Sequence, residues 1–547
     1  MTTSNLLYFD SFAAIGRRAG KDPEAPWTTE QLLDEMERCC VHGALVYAHQ
    51  AKEVHPEVGN PLVLDACRKH PRLYPCWVAL PHHSGEFLHP HDLLPEMQRQ
   101  GVRALKLFPR IYRHAVDHGT LGDLLAAMQD TGTLLIVDRG EYGPAVQIEW
   151  QEIAWICENF PRLPFLLHSV RWEATRMLIP LADRYSNLHF EFSNYQGNRM
   201  LEFWCRRLGH ERLLFGTEAL EKSIGAARAY LDYSELSDEQ RKAIAGGNLQ
   251  RLLHLPEPPP DYSAYVPQDG IIEKALQGQP ITDSIVIDAH AHLGQRGTRG
   301  AAMVFMNECD GKALVERNRR LGVQQTCVSA WTAIWTDYVL GNEDTHQAMM
   351  EFPEEIVGYA ALDPNYVKDW ASELRYYYET CGFRGMKPYF PRMGVPYNDP
   401  RFEPWWKYGH AHHLFALMHP SENFKQEMPD LARKYFNVNF VLAHSGWTWQ
   451  VARHHVALAK EFPNCYLEIT FTSVTNGTIE YMVHELGSGR VLYGSDAPMR
   501  DPFPQFGWVA YANISEADKR NILGRNMQRI LEQVKLPSFH QKLKNRL

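Results

Sequence analysis

No apolar run in the chain approaches the roughly 18 residues that a membrane-spanning helix needs, so no membrane partner is expected. The first ten residues have neither a basic flank nor a long apolar core, which argues against a signal peptide. No CxxC pair occurs, and Cys39 and Cys40 are the only close neighbours among ten cysteines. Reduced thiols in a cytoplasmic protein are therefore the expectation. In that compartment the glycosylation patterns at Asn476 and Asn513 would carry no sugar. There is no dense stripe of Lys and Arg. The net charge of −9 adds to the case against a nucleic-acid partner. Phosphate loops and dinucleotide fingerprints are missing, and the Gly487-Ser-Gly489 triplet is too short to count as one. With 45% hydrophobic and 22% charged residues, the chain is neither disordered, collagen-like nor a simple coiled coil.

What the chain does contain is itself, twice. GGNLQRLL and GRNMQRIL place Asn248 and Asn526 278 residues apart, and the helix-capping serines Ser237 and Ser515 keep the same offset. Each serine is followed three residues later by Gln240 or Asp518, the spacing of a capping box, with Asp518 the shorter variant. Four further segments recur in order, around Asp10 and Asp288, Lys106 and Lys387, His168 and His444, and Glu218 and Asp496. Six ordered matches identify a tandem duplication. The stretch LPEPPPDYSAYVPQDG between the copies reads as a Pro-rich, semi-rigid linker. The expected organisation is a first domain over 1–255, a linker over 256–280 and a second domain over 281–547, with a C-terminal tail packed on the other half.

In the second copy, short apolar runs alternate with amphipathic stretches. The expected strands are 285–289, 325–329, 357–361, 385–387, 414–418, 439–443, 465–469 and 490–493. Runs such as VNFVLAH are continuously apolar, as strands buried on both faces should be. The count and spacing favour the α/β class as two tandem (β/α)8 barrels over a doubly wound sheet.

The polar residues fall at the carboxyl ends of these strands, where a barrel carries its catalytic rim. His290 and His292 end the first, His419 the fifth, His444 the sixth and Asp496 the eighth. Imidazoles with a carboxylate suit a borderline-soft divalent ion, with zinc leading. Around them, Lys387, Tyr389, Phe390, Arg392, Trp447, Trp449 and Arg500 are candidate walls. Aromatic rings beside an arginine fit a flat carboxylate substrate.

The motifs Asp288-Ala-His290-Ala-His292, Met418-His419-Pro420, Ala443-His444-Ser445-Gly446 and Gly494-Ser495-Asp496, with Gly382-Phe-Arg-Gly-Met-Lys387, resemble the amidohydrolase superfamily. The likeness is greatest to its amidohydrolase-2 branch, related to aminocarboxymuconate semialdehyde decarboxylase. That resemblance implies one divalent ion, commonly Zn2+ with Mn2+ as an alternative, held by His290, His292, His419 and Asp496. It makes His444 an acid/base or substrate-polarising residue and Asp496 the acceptor of the water proton. Some superfamily members carboxylate the fourth-strand lysine to bridge two ions. The one-metal branch implies instead that Lys387 faces substrate or is structural; Tyr389, Arg392 and Trp447 are the wall residues expected to bind substrate with it.

The first copy departs from the pattern. Phe12 and Ala14 replace the first-strand histidines, Asp138 stands for His419 and Glu218 for Asp496, so a metal is not expected there. The chain then reads as an intramolecular pseudo-dimer, able to form a homo-oligomer, in which Arg110 and Arg139 are candidate donors to the other half. Hydrolysis of a small carboxylate-bearing amide, ester or lactone is the first functional expectation. Non-oxidative decarboxylation of an aromatic or enoic acid is the second, and a non-catalytic scaffold the third.

Overall fold

The computed structural model describes residues 6–20, 22–140, 146–255, 266–294, 304–471, 473–537 and 539–544. The chain divides into two compact units, Met1–Gln196 with Met200–Gln268, and Gly197–Arg199 with Asp269–Leu547.

In the first unit, β1 (Phe9–Ile15), β2 (Gly43–Ala48), β3 (Leu73–Val78), β4 (Ala104–Leu107), β5 (Leu134–Asp138), β6 (Phe165–His168), β7 (Leu188–Glu191) and β8 (Leu213–Leu214) pair in sequence order. In the second, β9 (Ile287–Leu293), β10 (Gln325–Ala330), β11 (Ile356–Ala360), β12 (Gly385–Met386), β13 (Phe415–Met418), β14 (Asn439–Leu442), β15 (Cys465–Glu468) and β16 (Val491–Leu492) do the same. All pairs are parallel, and helices separate the strands. Each sheet closes on itself. Ser11 N donates to Phe215 O at 2.9 Å, and Ala289 N to Tyr493 O at 3.0 Å. Both units are eight-stranded β/α barrels.

The strand positions follow the sequence reading with one instructive shift. The first strand of the second barrel starts two and ends four residues later than expected, and runs through both histidines. Its ladder with β10 continues to the pairs Ser329–His292 and Ala330–Leu293, after a register shift between Thr326 and Val328. A matching irregularity interrupts β1. An extra residue in one strand re-aims the side chains beside it.

The repeated motifs close the barrels. Asn248 Nδ2 donates to the carbonyls of His210 and Leu213 at 2.7 and 2.9 Å. Asn526 Nδ2 donates to those of Ser488 and Val491, both at 2.7 Å. Each asparagine thus pins the eighth strand from behind. The adjacent glycine is also required. A Cβ at Gly524 would lie 2.2 Å from Ile285 O, and one at Gly246 2.6 Å from Leu7 O. Asp288 works from the other side of the seam, accepting from Ser495 N at 2.9 Å and Ser495 Oγ at 2.5 Å. Asp10 holds Thr217 in the same way. Of the two capping boxes, Ser237–Gln240 is complete. In the second, the shorter Asp518 accepts from the Ser515 hydroxyl at 2.6 Å instead of reaching back to the backbone.

Residues 256–265 of the stretch read as a linker lie outside the described residues. Part of the rest is helical: Gly270–Leu276 is capped by Asp269, and its Gly270 N donates to Glu516 at 3.0 Å. The tail also departs from expectation. Phe539 packs on His346 of its own barrel, ring centroids 5.6 Å apart, because Gly382 leaves room for it there. All ten cysteines are free thiols. No helix among the described residues is long and apolar enough to cross a membrane.

Replacing Asn526 or Asn248 by Ala removes the side-chain donor from the buried carbonyl of Val491 or Leu213, while Ser488 O and His210 O keep a backbone donor. Each variant is expected to lose about 1–3 kcal/mol of stability, read as a lower urea midpoint. An unchanged midpoint would show that the asparagine does not hold the seam.

Candidate metal centre

The second barrel brings His290, His292, His419, His444 and Asp496 together at one end. His292 Nε2 lies 3.2 Å from Asp496 Oδ1 and His290 Nε2 3.7 Å from it. These three form one compact triple, and His290, His444 and Glu468 form another. His419 belongs to neither, but its ring centroid is 5.0 Å from that of His444.

The orientation of the rings is set by what each Nδ1 meets. His292 Nδ1 faces Ser329 O at 3.1 Å, His419 Nδ1 faces Pro420 O at 3.0 Å and His444 Nδ1 faces Thr470 O at 2.8 Å. A carbonyl oxygen only accepts, so in each ring Nδ1 carries the proton and Nε2 keeps its lone pair. His290 Nδ1 meets the Glu468 carboxylate at 2.8 Å. Burial holds all four rings neutral. It takes His292 and His419 down to about 3, with the charge of Lys387 adding to the effect. His290 and His444 are pushed well below the usual imidazole value, again chiefly by burial. Neutral imidazoles with fixed Nδ1–H groups beside a carboxylate are the donor set that a divalent ion uses.

His444 and Asp496 are held in left-handed backbone conformations, with φ of 64° and 58°. Such geometry costs about 1–3 kcal/mol per residue and recurs at functional turns. Here it turns both side chains off the strand ends into the barrel mouth. Asp496 is further fixed by a buried ion pair with Arg500.

The expected walls divide. Tyr389 stands edge-on to His419, ring centroids 5.1 Å apart. Trp447 stacks on Phe471 at 4.5 Å, and Phe471 in turn stands 5.3 Å from His444. Arg392 lies 3.4 Å over Trp335, which stacks on Trp331, and Trp331 meets His292 edge-on. Arg392 is exposed and is linked to His292 through these two stacked indoles. Lys387 is fully buried, and its Nζ has no hydrogen-bond partner. Trp449 is not a wall: it opens the helix Trp449–Glu461 and packs on Tyr481.

Sequence reasoning missed Glu468. It is fully buried, and besides His290 it holds Thr470 N at 2.6 Å and Thr470 Oγ1 at 2.7 Å. Burial raises its carboxyl to about 7. The signal was present: an acid inside an apolar strand, repeated as Glu191 on β7. Phe471 and Trp331 carried no such signal.

The first barrel places Phe12 where His290 stands in the second. Its ring stacks on His168 at 4.1 Å and lies 4.0 Å below Lys106 Nζ. Lys106 Nζ pairs with Asp138 at 2.6 Å and touches His168 Nδ1 at 3.1 Å. Glu218 pairs with Lys222 at 2.7 Å. The candidate donors are engaged within this unit, Arg110 with Glu152 and Arg139 over Trp150.

Residues 287–532, the second barrel, match the family model described as Amidohydrolase. No curated protein matches the chain. Solved structures align with part of the chain at low identity. A 2,6-dihydroxybenzoate decarboxylase from Rhizobium is 16% identical over 46% of this chain and 99% of its own, with a TM-score of 0.35. A probable 2-pyrone-4,6-dicarboxylic acid hydrolase from Acinetobacter baumannii is 14% identical over 45% and 99%, with a TM-score of 0.36. A dihydroxybenzoic acid decarboxylase from Polaromonas, solved with manganese and 2-nitroresorcinol, is 19% identical over 46% and 97%, with a TM-score of 0.33.

Glu468→Gln keeps the shape but removes the carboxylate behind His290. Metal affinity, measured by competition with a chelator, is expected to fall roughly 10–100-fold. Affinity equal to that of the parent would remove Glu468 from the centre.

Proposed function

We propose that the second barrel is a metal-dependent hydrolase of a small carboxylate-bearing amide, ester or lactone. The observation that carries this reading is the pair His290 and His292 with Nε2 at 3.7 and 3.2 Å from Asp496 Oδ1, with the neutral imidazoles of His419 and His444 beside them. His290, His292, His419 and Asp496 would hold the ion. Nitrogen donors with one carboxylate suit Zn2+, with Mn2+ or another divalent ion as the alternative. When bound, such an ion lowers the pKa of its water to about 7 and polarises a carbonyl.

The chain's own groups would do the rest. Asp496 presents Oδ1 towards His292 while Arg500 holds the other oxygen, so one lone pair faces the reacting centre and can take the water proton. His444, anchored through Nδ1 to Thr470, keeps Nε2 free to hold or pass on that proton. Tyr389 and Phe471 flank the centre as flat walls, and the exposed Arg392 would meet an anionic substrate.

The aromatic walls also favour a second reading, loss of carbon dioxide from an aromatic or enoic acid. The two readings place different atoms at the ion, a carbonyl in the first and a carboxylate with its neighbouring oxygen in the second. The non-catalytic scaffold reading gives no reason to gather four neutral imidazoles beside Asp496 and Glu468.

A panel of carboxylate-bearing lactones, amides, esters and aromatic acids, followed by product analysis, separates the readings. A cleaved bond without carbon dioxide is the expected outcome. Carbon dioxide release would establish the second reading, and no product from metal-loaded protein would leave the scaffold. His444→Ala is expected to retain its metal and lose roughly 10²–10⁴-fold in kcat, the usual share of a general acid/base. A variant with unaltered kcat would remove His444 from that role.

A further inference from the structure

The two barrels carry the same lysine at the end of the fourth strand, and its surroundings differ in one respect. In the first barrel, Lys106 Nζ is buried but satisfied: Asp138 lies 2.6 Å away and His168 Nδ1 3.1 Å away. In the second barrel the position of Asp138 is taken by His419. His168 has its counterpart in His444, whose Nδ1 is turned away to Thr470. Lys387 is thereby left fully buried, with no hydrogen-bond partner for Nζ. What surrounds it is the Tyr389 ring at 5.6 Å, the Glu468 carboxylate as the nearest opposing charge, and the four imidazoles, each of which feels its charge.

A buried amine or ammonium without a hydrogen-bonded partner is costly, and proteins keep such a group paired or use it. The duplicate shows which partner this lysine takes when the chain supplies one, a single carboxylate oxygen within 3 Å. We propose that Lys387 is the anion subsite of the second barrel, and that the substrate's carboxylate occupies the place that Asp138 fills in the first. This rests on the reading of the site as one for a carboxylate-bearing substrate and deepens it. The carboxylate is received inside the barrel by Lys387, with Tyr389 beside it, while Arg392 stays outside. The first barrel, by the same logic, is closed to such a ligand because Asp138 already supplies the anion.

The test uses the full-length chain, as isolated and after chelation, with benzoate as the probe and no turnover required. Benzoate is expected to raise the Tm saturably in both states. Lys387→Met removes the unpaired Nζ, so without benzoate it is expected to melt at or above the parent temperature. Its affinity for benzoate is expected to fall roughly tenfold to a hundredfold, the loss of one charge-assisted hydrogen bond in a dry site. A second variant, His419→Asp, keeps the lysine and rebuilds the pair of the first barrel. It too is expected to lose the benzoate response of the chelated protein. Undiminished benzoate binding by Lys387→Met, or by chelated His419→Asp, would overturn the proposal. A benzoate effect that appears only after incubation with bicarbonate would also overturn it, because it would mark a carboxylated lysine. Lysine-dependent binding with no product from the substrate panel would leave the subsite standing and remove the hydrolase reading. Turnover with lysine-independent binding would do the reverse.

Discussion

Three short contacts from imidazole Nδ1 atoms to backbone carbonyls, and a fourth to Glu468, decide what the second barrel can do. A carbonyl fixes the tautomer because it has no proton to give. Once Nδ1 is committed, each ring presents a lone pair at Nε2, and burial keeps that lone pair from being protonated. The strand ends bring the rings near one another, and the left-handed turns at His444 and Asp496 aim the last two side chains inward. Without these oxygens the same residues would be buried histidines free to rotate between roles.

The duplication shows how little needs to change to lose such a centre. Both barrels keep the seam: an aspartate in the first strand, an asparagine behind the eighth and a glycine that lets that helix approach. Both keep the buried glutamate of the seventh strand, where Glu191 holds Ser193 much as Glu468 holds Thr470. At the strand ends the inward-facing residues differ. In the first barrel, Phe12 stacks on the remaining histidine, and the ammonium of Lys106 sits among Phe12, Asp138 and His168. A cation supplied by the chain thus stands among groups that border the ion's expected place in the second barrel.

Much of this was legible in the sequence, for physical reasons. Parallel strands buried on both faces must be short apolar runs, so the eight strands of the second copy showed themselves, seven with ends within one residue and the first, β9, starting two and ending four residues later than expected. The five site residues stood out because polar groups at the ends of such runs have few other uses. Less was legible where the cause lies in the third dimension. Glu468 acts only through His290, and Phe471 and Trp331 matter only because His444 and His292 stand beside them. Trp449, two residues beyond Trp447, was read as a wall, yet the helix that starts there carries it away to Tyr481. The tail was assigned to the wrong half because the space left by Gly382 cannot be read from spacing.

The central proposal is that the second barrel holds a divalent ion at His290, His292, His419 and Asp496 and that the first has no matching centre. Elemental analysis of the purified chain, beside His290→Ala and Phe12→Ala variants, tests it most directly. About one equivalent of zinc or another divalent ion per chain, lost in His290→Ala and kept in Phe12→Ala, is the result the account requires. No metal after reconstitution, or about two equivalents with one surviving in His290→Ala, would contradict it.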